Sequence, residues 1–312
     1  MRIVFMGTPD FSVPALESLV SGGHQVIAAV TQPDKPKGRG KAVLMTPVKE
    51  KALELGIPVY QPVKVREESF ITMLEEMKPD AIVVVAFGQI LSKRILDIPK
   101  YGCINIHASL LPKYRGAAPI QWAVINGETE TGITTMVMDT GIDTGDMLEK
   151  VIIPVDPDET GGSLHDKLSV AGGRLILSTL QKAEEGTLVR MPQTDEGTCY
   201  AKMLTKSLGD IDWSQSAEQI ERLIRGLNPW PSAYTSLNGK TLKIWQAQVL
   251  ADEYEGALGQ VVKAVKGDLL VKTGKGSLRI TSLQLEGKKR MDTDAFLRGY
   301  PVEAGTVLER RQ

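Results

Sequence analysis

Ala81-Ile82-Val83-Val84-Val85-Ala86 is apolar at every position. A strand with one face in water alternates apolar and polar side chains. A short run without alternation fits a strand covered on both faces, the usual state of a parallel sheet. The apolar runs Ile3–Met6 and Val26–Val30 precede it and Cys103–Ile106 follows. Between the runs lie stretches with helical spacing. Pro14 suits a first turn, with Leu16, Leu19 and Val20 as an apolar stripe stopped by Gly22-Gly23. Pro47–Leu55 ends at Gly56, Glu67–Met77 forms a third helix, and Pro119–Asn126 ends at Gly127. Strand and helix in this rhythm predict right-handed crossovers and an α/β fold on a parallel sheet. Ligands of such sheets bind beyond the carboxyl ends of the strands, so the loops there are where chemistry is sought.

Ile133–Met138 and Met147–Val155 read as two further strands around a Gly/Asp-rich turn, and Ser163–Glu184 as a long helix ending before Gly186. Periodicity then fades. Ser216–Leu227 is a short amphipathic helix. After it come short strands, Tyr234–Leu237, Lys240–Gln246, Gly259–Val265, Leu269–Thr273 and Leu278–Leu285, separated by Gly-containing turns. That succession predicts a small β-barrel. The expected division is a catalytic domain over residues 1–187, a linker over 188–207 and a C-terminal domain over 208–312.

Cys103 and Cys199 lie far apart without CxxC or Cys/His spacing and are expected as free thiols in a reducing compartment. With 3 His and 2 Cys in the chain, no metal site is expected. Arg2–Met6 runs directly into Gly7-Thr8-Pro9-Asp10, a strand entering a loop rather than a signal peptide. No run is long enough to span a membrane, so a cytoplasmic protein is expected. The net charge of −1 excludes a globally basic nucleic-acid binder. Charge is uneven, however: residues 201–312 carry 17 Lys and Arg against 13 Asp and Glu, while residues 1–200 carry 20 against 25. A polyanionic partner near the C-terminal part would suit that asymmetry, as would uneven surface charge with no partner.

Five segments could carry chemistry. Gly7-Thr8-Pro9-Asp10-Phe11 follows the first strand, but it has one glycine where a dinucleotide site needs G-x-G-x-x-G. In Cys103-Ile104-Asn105-Ile106-His107, strand alternation puts Cys103, Asn105 and His107 on one face. Asn and His at the end of a buried strand are costly unless paired or used, so either a structural hydrogen-bonded pair or a reaction centre is expected. The loop Ser109-Leu110-Leu111-Pro112-Lys113-Tyr114-Arg115-Gly116 follows, stiffened by Pro112 and Pro119. Asp139-Thr140-Gly141-Ile142-Asp143-Thr144-Gly145-Asp146 lacks EF-hand spacing. It is either a turn whose Asp side chains bond their own backbone or a device aiming Asp143 at His107. A carboxylate beside an imidazole orients it and favours its charged form. Finally, Thr31–Ala42 holds Lys35, Lys37, Arg39 and Lys41 against Asp34 alone. It reads as an exposed mobile loop, either merely solvated or reaching for phosphates.

Asn105-Ile106-His107-x-Ser109-Leu110-Leu111-Pro112-Lys113-Tyr114-Arg115-Gly116, with Asp143 in a D-x-G-x-D-x-G turn, resembles the folate-dependent formyltransferase family. Gly7 to Phe11, Gln32 to Lys41, Trp122 to Thr134 and Asn228-Pro229-Trp230-Pro231 resemble the members of that family that act on charged tRNA. The resemblance implies a Rossmann-like sheet followed by an OB-like barrel, with 10-formyltetrahydrofolate as co-substrate and initiator methionyl-tRNA as acceptor. It implies catalysis by Asn105, His107 and Asp143. Folate would lie along Phe87, Gly88, Gln89, Ile90 and Leu91 and along Ser109, Leu110, Leu111 and Pro112, with Asp139 nearby; the alternative is Phe87 and Leu91 as core residues and Pro112 as a loop stiffener. Lys35, Lys37, Arg39, Lys41 and Lys206 would face tRNA, and the protein would act as a monomer. A formyltransferase for a small amine would share the catalytic residues without needing the basic arm. A non-catalytic RNA-binding relative would keep the arm and barrel alone.

Overall fold

The computed structural model describes residues 1–37, 42–265 and 267–311. The chain forms two compact units, neither contiguous in sequence. The first comprises Met1–Pro119, Glu130–Pro154 and His165–Ala201, and the second Ile120–Thr129, Val155–Leu164 and Lys202–Gln312.

The strands of the first unit's main sheet are β1 (Arg2–Gly7), β2 (Gln25–Val30), β5 (Val59–Tyr60), β6 (Ala81–Val85), β7 (Cys103–His107), β9 (Glu130–Val137) and β10 (Met147–Pro154). Between β2 and β5 lie two short strands, β3 (Lys35–Lys37) and β4 (Ala42–Leu44); β8 (Arg115–Gly116) and β11 (Tyr200–Ala201) form a separate pair. The main sheet runs β10-β9-β7-β6-β1-β2-β5. β6, the uniformly apolar run, lies in the middle with every residue buried. The five strands from β7 to β5 are parallel. β9 runs antiparallel to both of its neighbours, β7 and β10, so the sheet is parallel-rich rather than wholly parallel. The reason is local: the Asp139–Asp146 turn joins these two strands directly, and a short turn can join only antiparallel neighbours.

The α-helices up to Glu185 are α1 (Val13–Ser21), α2 (Pro47–Glu54), α3 (Glu68–Met77), α4 (Lys93–Leu96), α5 (Pro119–Ile125) and α6 (Gly161–Glu185); all of α5 but Pro119, and the first four residues of α6, belong to the second unit. Phe70, Ile71 and Leu74 of α3 share a core with Val4, Met6, Ile82, Val84 and Cys103. Burial, with the nearby Asp97 charge, pushes the Cys103 thiol up to about 12, so it behaves as a core residue. Within α6, Leu168, Ile176 and Leu180 are fully buried. Ser178, Thr179 and Lys182 of α6 all donate to the Glu149 carboxylate on β10. Burial alone would raise that carboxyl, but these bonds outweigh it and hold it below its ordinary value.

Within the basic stretch, expected as an exposed loop, the described residues include two short strands, β3 and β4, that pair with Lys35 opposite Leu44. Apolar periodicity does not set this pairing; polar side chains bond one another at the entry to β3. Gln61 donates to Gln32 O at 2.9 Å and to Asp34 Oδ1 at 2.7 Å, and Lys49 Nζ bonds Asp34 and Gln61. The Lys49 and Gln61 hydrogen bonds hold the Asp34 carboxyl below its ordinary value.

The second unit is built on β12 (Ala233–Leu237), β13 (Lys240–Leu250), β14 (Val261–Val265), β15 (Asp268–Lys272), β16 (Ser277–Leu285) and β17 (Met291–Asp292), with helices α7 (Ala217–Gly226) and α8 (Thr293–Gly299). The order is β12-β13-β16-β15-β14, with β17 beside β16. Residues 305–309 join the two outer strands. Gly305 N donates to Val261 O (2.8 Å) and Leu308 N to Gly259 O (2.8 Å), while Ser236 and Glu309 exchange both backbone bonds at 2.8 and 3.0 Å. This closes the sheet into a barrel and removes its free edges, as the Gly-punctuated strands predict. Leu242, Ile244, Val271, Leu278 and Ile280 fill it, with Ile220 and Ile224 of the capped helix α7 packed on. Two excursions of the chain complete the unit: Gly162 N donates to Asn228 O (2.9 Å) and Trp122 Nε1 to Lys202 O (2.8 Å). Among the described residues, no helix is long and apolar enough to cross a membrane.

Candidate active site

β7 ends on Asn105-Ile106-His107. Alternation sends Cys103 into the core, where its Sγ lies 3.7 Å from Ile95 O, and brings Asn105 and His107 to the same side at the strand's carboxyl end. Asp143 meets both. Its Oδ1 is 3.4 Å from Asn105 Nδ2, its Oδ2 is 3.6 Å from His107 Nδ1, and Oδ2 accepts the Gly116 N–H at 2.8 Å. The three residues separated in sequence therefore converge.

The bonding fixes what each group can do. His107 Nε2 lies 2.9 Å from Tyr114 O. A carbonyl only accepts, so Nε2 carries a proton and donates, leaving Nδ1 as the nitrogen that faces the carboxylate. Asn105 makes one long amide contact to Asp143, and an amide NH₂ has two donors, so a donor remains for another acceptor.

Both readings of the Asp-rich turn are realised, by different residues. Asp139 bonds within the turn: its Oδ1 accepts from Gly141 N (2.9 Å) and Thr144 Oγ1 (2.7 Å). Asp143 is turned to the site by a left-handed backbone, φ 55°. Gly145 permits the tight return, since a Cβ there would sit 1.8 Å from Val137 O.

The two loops expected to line a folate slot leave the ends of β6 and β7, which are neighbours. After β6 the chain turns through Ala86 (φ 45°) and Gly88 (φ 83°). Phe87 and Leu91 are core residues, and Phe87 O accepts from Thr8 Oγ1 and Gln32 Nε2. Gln89 is a brace, accepting from Val65 N and donating to Pro62 O. Ile90 alone of these five presents a large apolar side chain, 62% exposed. In the second loop Ser109 donates to Lys113 O and is fully buried, Leu111 is buried, and Leu110 and Pro112 are half-buried. Lys150 Nζ donates to Leu111 O at 2.6 Å, and burial lowers its pKa. The loops thus offer Ile90, Leu110 and Pro112 side chains beside fixed backbone groups, a composition that suits a flat heterocycle.

Three side chains that shape the site gave no sequence signal: Lys150, Gln193 and the buried form of Arg115. The Arg115 side chain is 4% exposed and bonds Gln193, so it presents no cation to solvent. Gln193 sits in the stretch expected to be a linker. That stretch bonds back to the site, through Met191 to Met147 and through Cys199 O and Ala201 O to Arg115 N and Ala117 N.

Of the tRNA candidates, Lys35 and Lys206 are exposed and Lys37 lies in β3; Arg39 and Lys41 fall outside the described residues. On the barrel, the Trp245 ring has Lys243 Nζ 5.6 Å and Arg290 Cζ 5.1 Å from its centroid. An aromatic ring with two cations suits nucleic acid.

The Formyl transferase family model matches residues 1–180, and Formyl transferase, C-terminal domain, matches residues 203–301. A methionyl-tRNA formyltransferase of Agathobacter rectalis is 60% identical over 310 residues, 99% of each chain. One from Geotalea uraniireducens is 53% identical over 311 residues, 100% of this chain and 99% of the relative. Among solved structures, a sugar 3N-formyl transferase, WlaRD, has the same fold, with a TM-score of 0.67 at 19% identity over 93% of this chain and 99% of that one. HypX from Aquifex aeolicus, in complex with tetrahydrofolic acid, has a TM-score of 0.62 at 18% identity, covering 100% of this chain and 51% of that one.

Proposed function

The chain belongs to the formyl transferase family, among the methionyl-tRNA formyltransferases, and from that premise we propose that it moves the formyl group of 10-formyltetrahydrofolate to the α-amino group of methionine on initiator tRNA. The observation that carries this reading is the convergence of Asn105, His107 and Asp143 at the carboxyl end of β7. The names of the full-length relatives favour charged tRNA over a small amine as acceptor.

A free α-amino group has a pKa of about 7.7–8.0, so a useful neutral fraction exists near pH 7 without a strong base. The harder step is the tetrahedral intermediate, in which the new N–C bond forms and the carbonyl oxygen gains charge. Asn105 donates its remaining N–H to that oxygen; such a donor contributes about 2.7–4 kcal/mol. Asp143 takes the proton of the attacking nitrogen, and the His107 ring, anchored through its Nε2–H on Tyr114 O, bounds the position of the carboxylate that faces its Nδ1. As the bond from carbon to N10 breaks, the proton passes to N10, so proton and leaving group balance. Ile90, Leu110, Pro112 and the backbone of residues 86–89 would hold the folate; Phe87, Ser109 and Leu111 contribute main chain rather than side chains. Formyl transfer to charged initiator tRNA, with uncharged tRNA and a small sugar amine as controls, tests the assignment. Transfer to the small amine alone would sink it.

Lys35, Lys37, Arg39 and Lys41 are assigned to tRNA phosphates on this reading, and so, separately, are Lys206 and the Trp245 cluster of the second unit. Phosphate-contacting cations add affinity and salt dependence without reading sequence. Lys35→Ala and Arg39→Ala should each raise the KM for charged tRNA and reduce the salt slope by about 1 for each phosphate no longer neutralised. The KM for the folate should not move. An unaltered KM for tRNA in both variants removes the arm from the binding surface.

A further inference from the structure

The Gln193 side chain spends both of its N–H donors on the catalytic turn. Its amide nitrogen donates to Asp143 O and to Gly145 O, both at 2.8 Å, and its Oε1 accepts from Arg115 Nε at 3.0 Å. Arg115 is buried, with Nη2 3.5 Å from Thr194 O and Nη1 3.6 Å from Asp195. The next residue, Gly116, donates its N–H to Asp143 Oδ2. Asp143 is therefore held twice: at its main chain by Gln193, and at its carboxylate by the neighbour of the residue that Gln193 also binds. The left-handed backbone of Asp143, φ 55°, costs about 1–2 kcal/mol and persists only where the surroundings fix it.

We propose that Gln193 is a positioning residue for formyl transfer, holding the Asp143 turn so that the carboxylate stays between Asn105 and His107. The proposal rests on the assignment of Asp143 to proton transfer. Only an amide supplies two donors and an acceptor from one planar group. Glu at this position would keep the Arg115 contact but turn an oxygen toward two carbonyl oxygens. Met would keep the size and lose all three bonds. Neither substitution touches the substrate-facing side chains.

Gln193→Glu and Gln193→Met should each lower kcat about 100-fold, the usual cost of displacing a reacting group by about 1 Å. The KM for folate and for charged tRNA should stay within about two-fold, and the melting temperature within a few degrees, as expected for a geometric effect confined to the turn. A second readout needs no reaction. The imidazole nitrogen-15 shifts of His107, assigned by replacing His24 and His165 in turn, should move in both variants, because the carboxylate facing Nδ1 moves. An unmoved His107 signal, or turnover within two-fold of the unsubstituted protein in both variants, overturns the proposal. Loss of turnover matched by loss of folded protein also overturns it. If the unsubstituted protein formylates no charged tRNA, the functional reading falls, and the His107 signal alone then decides the positioning.

Discussion

Asp143→Asn is expected to lower turnover by about 10²–10⁴-fold, the range for a positioned proton-transfer group, while charged tRNA still binds. The variant isolates chemistry from fold. Asp143 sits at φ 55°, and Asn is among the few L-residues that tolerate that conformation. The amide oxygen can still accept the Gly116 N–H that Oδ2 accepts now. What disappears is the charge facing His107 Nδ1 and the ability to take a proton from the attacking amine. His107→Ala should act at the same step and bring a similar loss. The measurements are single-turnover formyl transfer and equilibrium tRNA binding. Near-normal kcat in either variant would mean that the proton moves by another route. Loss of binding together with turnover would mean that the turn serves the substrate rather than the reaction.

Gly116→Ala should damage both stability and activity. Gly116 has φ 113°, and an added Cβ would approach Ala201 O, a backbone atom of the paired strand, to 2.8 Å. A side chain in such a conformation costs about 1–3 kcal/mol. Relief requires β8 and β11 to separate, which shifts the N–H that holds Asp143 Oδ2, and a displacement of about 1 Å there should lower kcat about 100-fold. Gly186→Ala provides the control. Its φ is also positive, at 71°, but nothing lies within 4 Å of an added Cβ. It should lower the melting temperature slightly and leave kcat alone. If Gly116→Ala behaves like Gly186→Ala, the hydrogen bond from Gly116 does not govern Asp143.

The parts of this molecule visible in its sequence are those set by one-dimensional periodicity. The unbroken apolar run of β6 implies burial on both faces, and strand alternation alone brings Asn105 and His107 together. Asp143 was harder, because its turn contains Asp residues of two kinds. Asp139, which bonds its own turn, and Asp143, which faces β7, differ in backbone angle rather than in residue type. The pairing of β3 with β4 leaves no trace in the sequence because the contacts beside it, among Asp34, Lys49 and Gln61, are polar and have no period. Phe87 and Leu91 follow the core alternative rather than the folate-lining one. Gln193 was invisible: an isolated glutamine in an aperiodic stretch shows its purpose only when two carbonyls and a guanidinium surround it.

The interleaving of the two compact units has a consequence for manufacture. Ile120–Thr129 and Val155–Leu164 belong to the unit completed by Lys202–Gln312, yet a ribosome makes them well before it makes the rest of that unit. During synthesis the first unit can close once residue 201 has emerged. The two early excursions must then wait, without their Lys202 and Asn228 partners, until the last third of the chain arrives. Splitting the gene at any single point would therefore leave at least one product short of pieces that it needs.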